Sequence, residues 1–349
     1  MNNETKVIKV FIIDDSMMVR NAIIKILKDE ENIKIIGEAP NPVDAFEVFR
    51  KVGLPDVFIL DIEMPKMDGL TFLKQINEQK PIPVIICSTL VEKGSTEAID
   101  ALRLGAVEIV LKPKINVKEY FIEQKEIFVQ AIKGAALSKI NFIPNQIEQK
   151  QISQENVKAG NPSKHFIAIG SSTGGVQAIE EIVTKLKPNH QGIVITQHMP
   201  EGFTHSFASR LNNITSSLIV EASDGELICD NKIIIAKGGI HMEVVKDDRG
   251  DYRVHLVDAP KVNSHKPSVN VLFNSIAKSC DKNVTAFILT GMGDDGAIGL
   301  KNLRDLGYHT YGQNKQTCVV YGMPNVANQI GAVLAELSLF NIIKEINKL

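Results

Sequence analysis

His165-Phe166-Ile167-Ala168-Ile169-Gly170-Ser171-Ser172-Thr173-Gly174-Gly175 is a short apolar run that stops abruptly in small residues and glycines. Such a run, without polar alternation, predicts a strand buried on both faces, and the glycines predict a sharp turn at its end. Val176 to Leu186 then repeats apolar residues at helical spacing. Strand, turn and helix form the repeating unit of a parallel sheet wrapped by helices, and Ser172 is held up at the sheet edge. The spacing fits Gly-x-Ser-x-Gly, in which a serine sits between a strand and the unpaired N–H groups of a helix start. A plainer reading makes Ser172 only the cap of that helix. A nucleotide loop is disfavoured, because Gly170, Gly174 and Gly175 do not make Gly-x-Gly-x-x-Gly and no Lys-Ser or Lys-Thr follows.

Working outward, the same alternation continues. Gly192 to Gln197 reads as a strand ending at His198, Gly202 to Leu211 as a helix, and Ser217 to Glu221 and Lys232 to Ala236 as short strands. Met242 to Val245 and Tyr252 to Val257 suit a hairpin, Pro267 to Ser279 a helix, and Asn283 to Thr290 a strand running into Gly291-Met292-Gly293-Asp294-Asp295-Gly296. A doubly wound sheet gathers Ser172, His198 and Asp295 on one edge. Their chemistry is complementary: a base takes the serine proton, and a carboxylate orients the imidazole and stabilises its cation. The backbone N–H groups of Thr173 and Met292 are placed to receive an oxyanion. The chain order Ser, His, Asp differs from that of lipase-like hydrolases, which points to the same triad on another fold. His205, His241 and His265 are rival bases, none following an apolar strand so directly, and Asp294-Asp295-Gly296 also reads as a simple turn.

The N-terminal part has its own alternation. Strand patterns at Val7 to Ile13, Ile33 to Gly37, Val57 to Leu60, Val84 to Cys87 and Glu108 to Leu111 alternate with helical ones at Met17 to Leu27, Asp44 to Phe49 and Gly69 to Ile76. Asp14, Asp15, Asp61, Ser88 and Lys112 all follow strand ends. Three converging carboxylates repel one another unless a cation joins them, and an all-oxygen site suits Mg2+. One carboxylate can then attack phosphorus while Ser88 and Lys112 meet the phosphoryl oxygens. Each acid taken singly is equally a helix cap. Val117 to Ser138 suits one closing helix, and the polar stretch after it reads as a mobile linker.

Composition bounds the function. The 349 residues predict two or three domains, and a net charge of -2 gives no general attraction to nucleic acid or anionic membrane. Cys87, Cys229, Cys280 and Cys318 are scattered, as buried thiols in a reducing compartment would be. No run approaches the roughly 18 apolar residues of a membrane span, so no membrane insertion and a cytoplasmic location are expected.

Two resemblances sharpen this. Asp14-Asp15, Asp61-Ile62-Glu63-Met64-Pro65-Lys66-Met67-Asp68-Gly69, Ser88 and Lys112-Pro113 are similar to a response-regulator receiver domain. That implies Asp61 as phosphoacceptor, Asp14 and Asp15 with Asp61 as Mg2+ holders, Ser88 and Lys112 as switch residues, and a histidine kinase as phosphodonor. Ile109 departs from the usual aromatic, and Lys112-Pro113 is expected to accommodate a cis peptide. The segments Gly170 to Gly175, Ile195 to Pro200, His265 to Val269, Leu289 to Gly296 and Cys318 to Pro324 resemble the catalytic domain of chemotaxis protein-glutamate methylesterases. That implies a Ser172, His198, Asp295 triad, with no cofactor of its own, demethylating glutamate esters on chemoreceptors and deamidating certain glutamines. His205 and Asn270 depart from common residues of that family without touching the expected triad. The expected fold class is α/β: a flavodoxin-like receiver at residues 6–130, its last helix reaching about 138, a flexible linker at 139–163, and a doubly wound, mostly parallel hydrolytic domain at 164–349. A monomer is expected, with phosphorylation controlling access to Ser172. The alternatives are a non-enzymatic receptor-docking regulator or phosphate sink, and a hydrolase of another methylated signalling protein.

Overall fold

The computed structural model describes residues 7–89, 92–113, 115–138 and 159–349. The chain divides into two compact units, Met1–Pro144 and Asn145–Leu349. Among the described residues no helix is long and apolar enough to cross a membrane. All four cysteines are free thiols, with Cys87, Cys229 and Cys318 buried and Cys280 partly so.

In the first unit, strands β1 (Ile8–Ile13), β2 (Ile33–Ala39), β3 (Val57–Leu60), β4 (Val84–Thr89) and β5 (Glu108–Lys112) form one sheet in the order β2-β1-β3-β4-β5. Every pairing is parallel. The apolar strands are buried because helices cover both faces: α1 (Met17–Leu27), α2 (Pro42–Val52), α3 (Gly69–Gln79), α4 (Glu92–Arg103), α5 (Val117–Glu123) and α6 (Lys125–Leu137). Side chains of Ser16, Asn41 and Asp68 cap α1, α2 and α3, so the strand-end loops are held by their own polar residues. The order reverses between β1 and β3, and Asp14 and Asp61 lie at the carboxyl ends of those two strands, where ligands enter such sheets.

The single helix expected over Val117 to Ser138 is two helices, broken at Gln124 (φ -96°, ψ 7°). Residues seven apart on a straight helix are separated by about 10 Å along its axis. The break instead lets Phe121 and Phe128 meet edge to face, with ring centroids 5.0 Å apart, in the buried core. Among the described residues the cis peptide is Lys266–Pro267, not Lys112–Pro113.

In the second unit, seven parallel strands follow the order β14-β13-β12-β6-β7-β9-β8. They are β6 (Phe166–Ser171), β7 (Gly192–Gln197), β8 (Leu218–Glu221), β9 (Lys232–Ile235), β12 (Val284–Ile288), β13 (His309–Gln313) and β14 (Ala335–Leu337). Helices α7 (Gly175–Val183), α8 (Phe203–Ile214), α9 (Val269–Ser279), α10 (Ala297–Asp305), α11 (Met323–Gln329) and α12 (Leu339–Ile346) flank the sheet. The expected hairpin is present as antiparallel β10 (His241–Lys246) and β11 (Tyr252–Val257). Its Met242, Val244, Tyr252 and Val254 pack with Leu272, Phe273 and Ile276 of α9 in one core cluster. The chain enters at β6, runs to β7 on one side and returns to β12 on the other, so the switch point lies between β6 and β12.

One expectation about the linker is corrected. Gly160 to Ser163 belong to the second unit: Gly160 N–H donates to Asp230 O (2.7 Å), Ser163 N–H to Ile228 O (3.0 Å), and Ser163 Oγ accepts from Gly192 N–H (2.9 Å). Polar residues are held here because they complete a neighbouring strand's hydrogen bonds. The rest of the expected linker, 139–158, lies outside the described residues.

Candidate functional sites

At the edge of the first sheet, the Lys112 ammonium lies 3.0 Å from Asp14 Oδ1, 2.5 Å from Asp61 Oδ2 and 3.6 Å from Asp15 Oδ1. Carboxylate oxygens of Asp14, Asp15 and Asp61 lie within 4.8 Å of one another. The backbone holds them there: Ser16 N–H donates to Asp14 Oδ1, Ile62 N–H to Asp61 Oδ1, and the Arg20 guanidinium to the carbonyls of Asp14 and Asp15. One lysine does not balance this much acid. Burial, then the neighbouring Asp61, push the Asp14 pKa up to about 6, and burial also raises that of Asp61. Burial pulls Lys112 down, but the two carboxylates outweigh it and raise its pKa. Asp14 Oδ2 is buried with no hydrogen-bond partner among the described residues. A hard dication with oxygen ligands fits this donor set, since it satisfies that orphan oxygen and relieves the repulsion. Ser88 is buried on β4, in register with Leu111 beside Lys112, and Ile109 is buried on β5.

At the edge of the second sheet, Ser171 and Gln197 are register partners at the ends of β6 and β7, so Ser172 and His198 follow side by side. Asp295 arrives from beyond β12, and His198 Nε2 lies 2.7 Å from its Oδ2. Asp295 is buried at the start of α9, where it also accepts from Ser268 Oγ (2.7 Å), Val269 N–H (2.7 Å) and Asn270 N–H (3.1 Å). Burial opposes its charge, yet these donors, His198 first among them, outweigh burial and hold the carboxyl below its usual range. With Nε2–H committed to Asp295, the other ring nitrogen carries the lone pair. That nitrogen, His198 Nδ1, is buried and has no hydrogen-bond partner among the described residues.

Sequence comparison assigns a family to each half of the chain. A CheB methylesterase family profile matches residues 167–346, and a response regulator receiver domain profile matches residues 10–119. A Leptospira interrogans protein-glutamate methylesterase/protein-glutamine glutaminase is 44% identical over 97% of this chain and 99% of its own. The chain belongs to the CheB methylesterase family. A Shewanella oneidensis protein of the same description is 42% identical over 97% of this chain and 98% of its own. The crystal structure of the Thermotoga maritima CheB methylesterase catalytic domain, 34% identical, aligns with a TM-score of 0.51 over 53% of this chain and 97% of that one. The protein is thus a receiver-bearing carboxylic ester hydrolase.

The structure also shows how this CheB-family site is braced. The buried Gln197 amide donates through Nε2 to the carbonyls of Ser172 (3.0 Å) and His198 (2.9 Å), while its Oε1 accepts from Ser171 Oγ (2.7 Å). One side chain therefore ties both strand ends. A Cβ on Gly175 would lie 2.0 Å from Gln197 Oε1, so only glycine fits there. Thr290, just beyond β12, holds the serine turn from the other side: its carbonyl accepts from Ser172 N–H (3.0 Å) and its hydroxyl donates to Thr173 O (2.9 Å). Gly291 presses its backbone on Ser172, as a Cβ there would lie 2.7 Å from Ser172 Cβ, which sets Met292 beside the serine turn. The Cys318 to Pro324 segment closes over this region through Val320 N–H to Thr290 Oγ1 (2.9 Å) and Met323 N–H to Gly291 O (2.8 Å).

The rival histidines separate cleanly. His205 is exposed on α8. His241 uses both ring nitrogens, one facing Pro260 O (2.9 Å) and the other accepting from Ser268 N–H (3.2 Å), so it steadies the residue that steadies Asp295. His265 lies flat against His198, with ring centroids 3.7 Å apart and planes 10° apart. Asn270 corrects an expectation, since its backbone N–H does reach the Asp295 carboxylate. Gln197 and Ser268 went unnoticed in the sequence. The available signals were a lone amide closing a buried strand and a serine at the cap of a helix.

Proposed function

We propose that the protein hydrolyses glutamate methyl esters on chemoreceptors and deamidates receptor glutamines, under control of phosphorylation at Asp61. Ser172 attacks the ester carbonyl carbon as His198 Nδ1 takes the hydroxyl proton. Asp295 holds Nε2–H and stabilises the imidazolium, and the N–H groups of Thr173 and Met292 receive the oxyanion. The imidazolium returns its proton to the departing methoxide, giving methanol. Water, deprotonated by the same nitrogen, then releases glutamate from the acyl-enzyme. A glutamine amide follows the same steps and yields ammonia. The observation that carries this reading is the 2.7 Å His198–Asp295 contact, with the other His198 nitrogen buried and unpartnered among the described residues and the His198 backbone N–H bonded to Ser171 O at the neighbouring strand end.

On the receiver, residues 6–130 in this reading, Asp61 accepts the phosphoryl group from a histidine kinase. Asp14, Asp15 and Asp61 are the residues that would hold Mg2+, which when bound neutralises charge between carboxylates and phosphoryl oxygens. Lys112 pairs with the phosphoryl group and Ser88 hydrogen-bonds it. The protein acts in the cytoplasm as a monomer. The test is methanol release from methylated receptor membranes, with and without a phosphodonor. Ser172→Ala should lower release by at least about a thousandfold while Asp61 still labels. Undiminished release would return the choice to another nucleophile.

A further inference from the structure

His265 belongs to none of the catalytic roles above, yet its ring lies parallel to that of His198 at 3.7 Å. We propose that His265 is a positioning residue for ester hydrolysis: carried on a braced turn, its ring covers one face of His198 and fixes the tilt of that imidazole. The proposal rests on His198 being the base.

The turn is built for placement. Asn263 (φ 50°) and Ser264 (φ 66°) both adopt left-handed backbone, and Val262 and His265 exchange two backbone hydrogen bonds of 3.0 and 2.9 Å across them. This is the two-residue hairpin geometry that demands positive φ at both central positions, tolerable for Asn and strained for Ser. Side chains then tie the turn down. Asn263 Nδ2 donates to Asp294 Oδ1 (3.1 Å), and Asn270 Nδ2 donates to Asn263 Oδ1 (3.2 Å). Asn270 also accepts from Gly299 N–H (2.8 Å) and donates its own N–H to Asp295 (3.1 Å). The turn that carries His265 and the carboxylate that orients His198 therefore share one frame.

His198 needs that frame. Among the described residues its side chain makes one hydrogen bond, through Nε2, and one bond leaves the ring free to tilt about it and re-aim Nδ1, the nitrogen that takes the serine proton in the reading above. A flat ring at van der Waals distance removes that freedom without occupying Nδ1. The groups around His265 are His198, Asp295 and Lys261, and burial together with His198 lowers its pKa to about 3. When His198 gains the serine proton, it faces a neutral π-surface and not a second cation.

The experiment uses the full chain with methylated receptor membranes and acetyl phosphate. His265→Ala should lower kcat about tenfold with KM changed less than about twofold, as a misoriented base would. His265→Phe, which stacks but carries no ring nitrogen, should stay within about threefold of the parent. Asn263→Gly keeps the turn and removes its side-chain ties, and should fall between them. The proposal is overturned if His265→Ala keeps full kcat, if His265→Phe is as slow as His265→Ala, or if the loss lies in KM. Thermal melting and Asp61 labelling report folding, and if His265→Ala melts early, His265→Phe and Asn263→Gly decide. Methanol release persisting in Ser172→Ala would instead indict the assignment of the triad.

Discussion

The two sheet edges solve opposite problems with the same scaffold. Each gathers carboxylates at the carboxyl ends of parallel strands beside a topological switch point. At the first edge Asp14 and Asp61 share the buried Lys112 ammonium, their pKa values rise, and an Asp14 oxygen has no partner among the described residues. At the second, Asp295 has His198, Ser268, Val269 and Asn270 as donors, and its pKa falls. The receiver edge is electrostatically unfinished and calls for a ligand. The esterase edge is finished in advance, as preorganised transition-state stabilisation requires. Removing a carboxylate charge should therefore do opposite things in the two halves.

The largest effect is expected from Asp295→Asn. It presents an amide to His198, disturbs the tautomer and should lower kcat on the order of ten-thousandfold, with Asp61 labelling intact. A modest loss would mean that Asp295 does not orient the base. Asp14→Asn should weaken Mg2+ binding by at least about a hundredfold, read by titration calorimetry. It should also stabilise the metal-free receiver, on the order of 1 kcal/mol, because burial and Asp61 make the charged form costlier in the native state than in the unfolded chain. A destabilised Asp14→Asn receiver would remove the contrast between the edges. Ser268→Ala deletes one donor to Asp295 and the cap of α9 and should cost about tenfold in kcat. An unchanged rate would show that the backbone donors suffice.

The smallest effect is on pH dependence. Asp14 is raised from 3.8 to about 6, so across that window the native state binds more protons than the unfolded chain. Raising pH there must destabilise the metal-free receiver, and Asp61 acts in the same direction. Denaturation midpoints should fall from about pH 4 to pH 6 in chelator and lose much of that slope in Asp14→Asn. Saturating Mg2+ should reverse the trend, since binding requires deprotonated carboxylates.

Much of this was legible in the chain. Periodicity placed the strands on either side of Ser172, His198 and Asp61, because a strand buried on both faces has to be apolar throughout. The helix break at Gln124 was not legible, since Phe121 and Phe128 both satisfy one continuous helical pattern and only their packing requires the bend. Nor was the docking of Gly160 to Ser163, whose polar side chains read as solvated until a strand edge is there to receive them.

By itself, the sequence determined the alternation of strand and helix, the polar residues that end the strands, and the turn at Gly170 to Gly175. The tertiary structure decided which histidine meets Asp295 and through which nitrogen, that Gln197 bonds the carbonyls of Ser172 and His198, and that His265 stacks on His198. His198 and Asp295 stand 97 residues apart, and Lys112 and Asp14 stand 98 apart. Local periodicity is set by how a segment buries its own faces. Contacts across such separations depend on strand order, which only the assembled sheet provides.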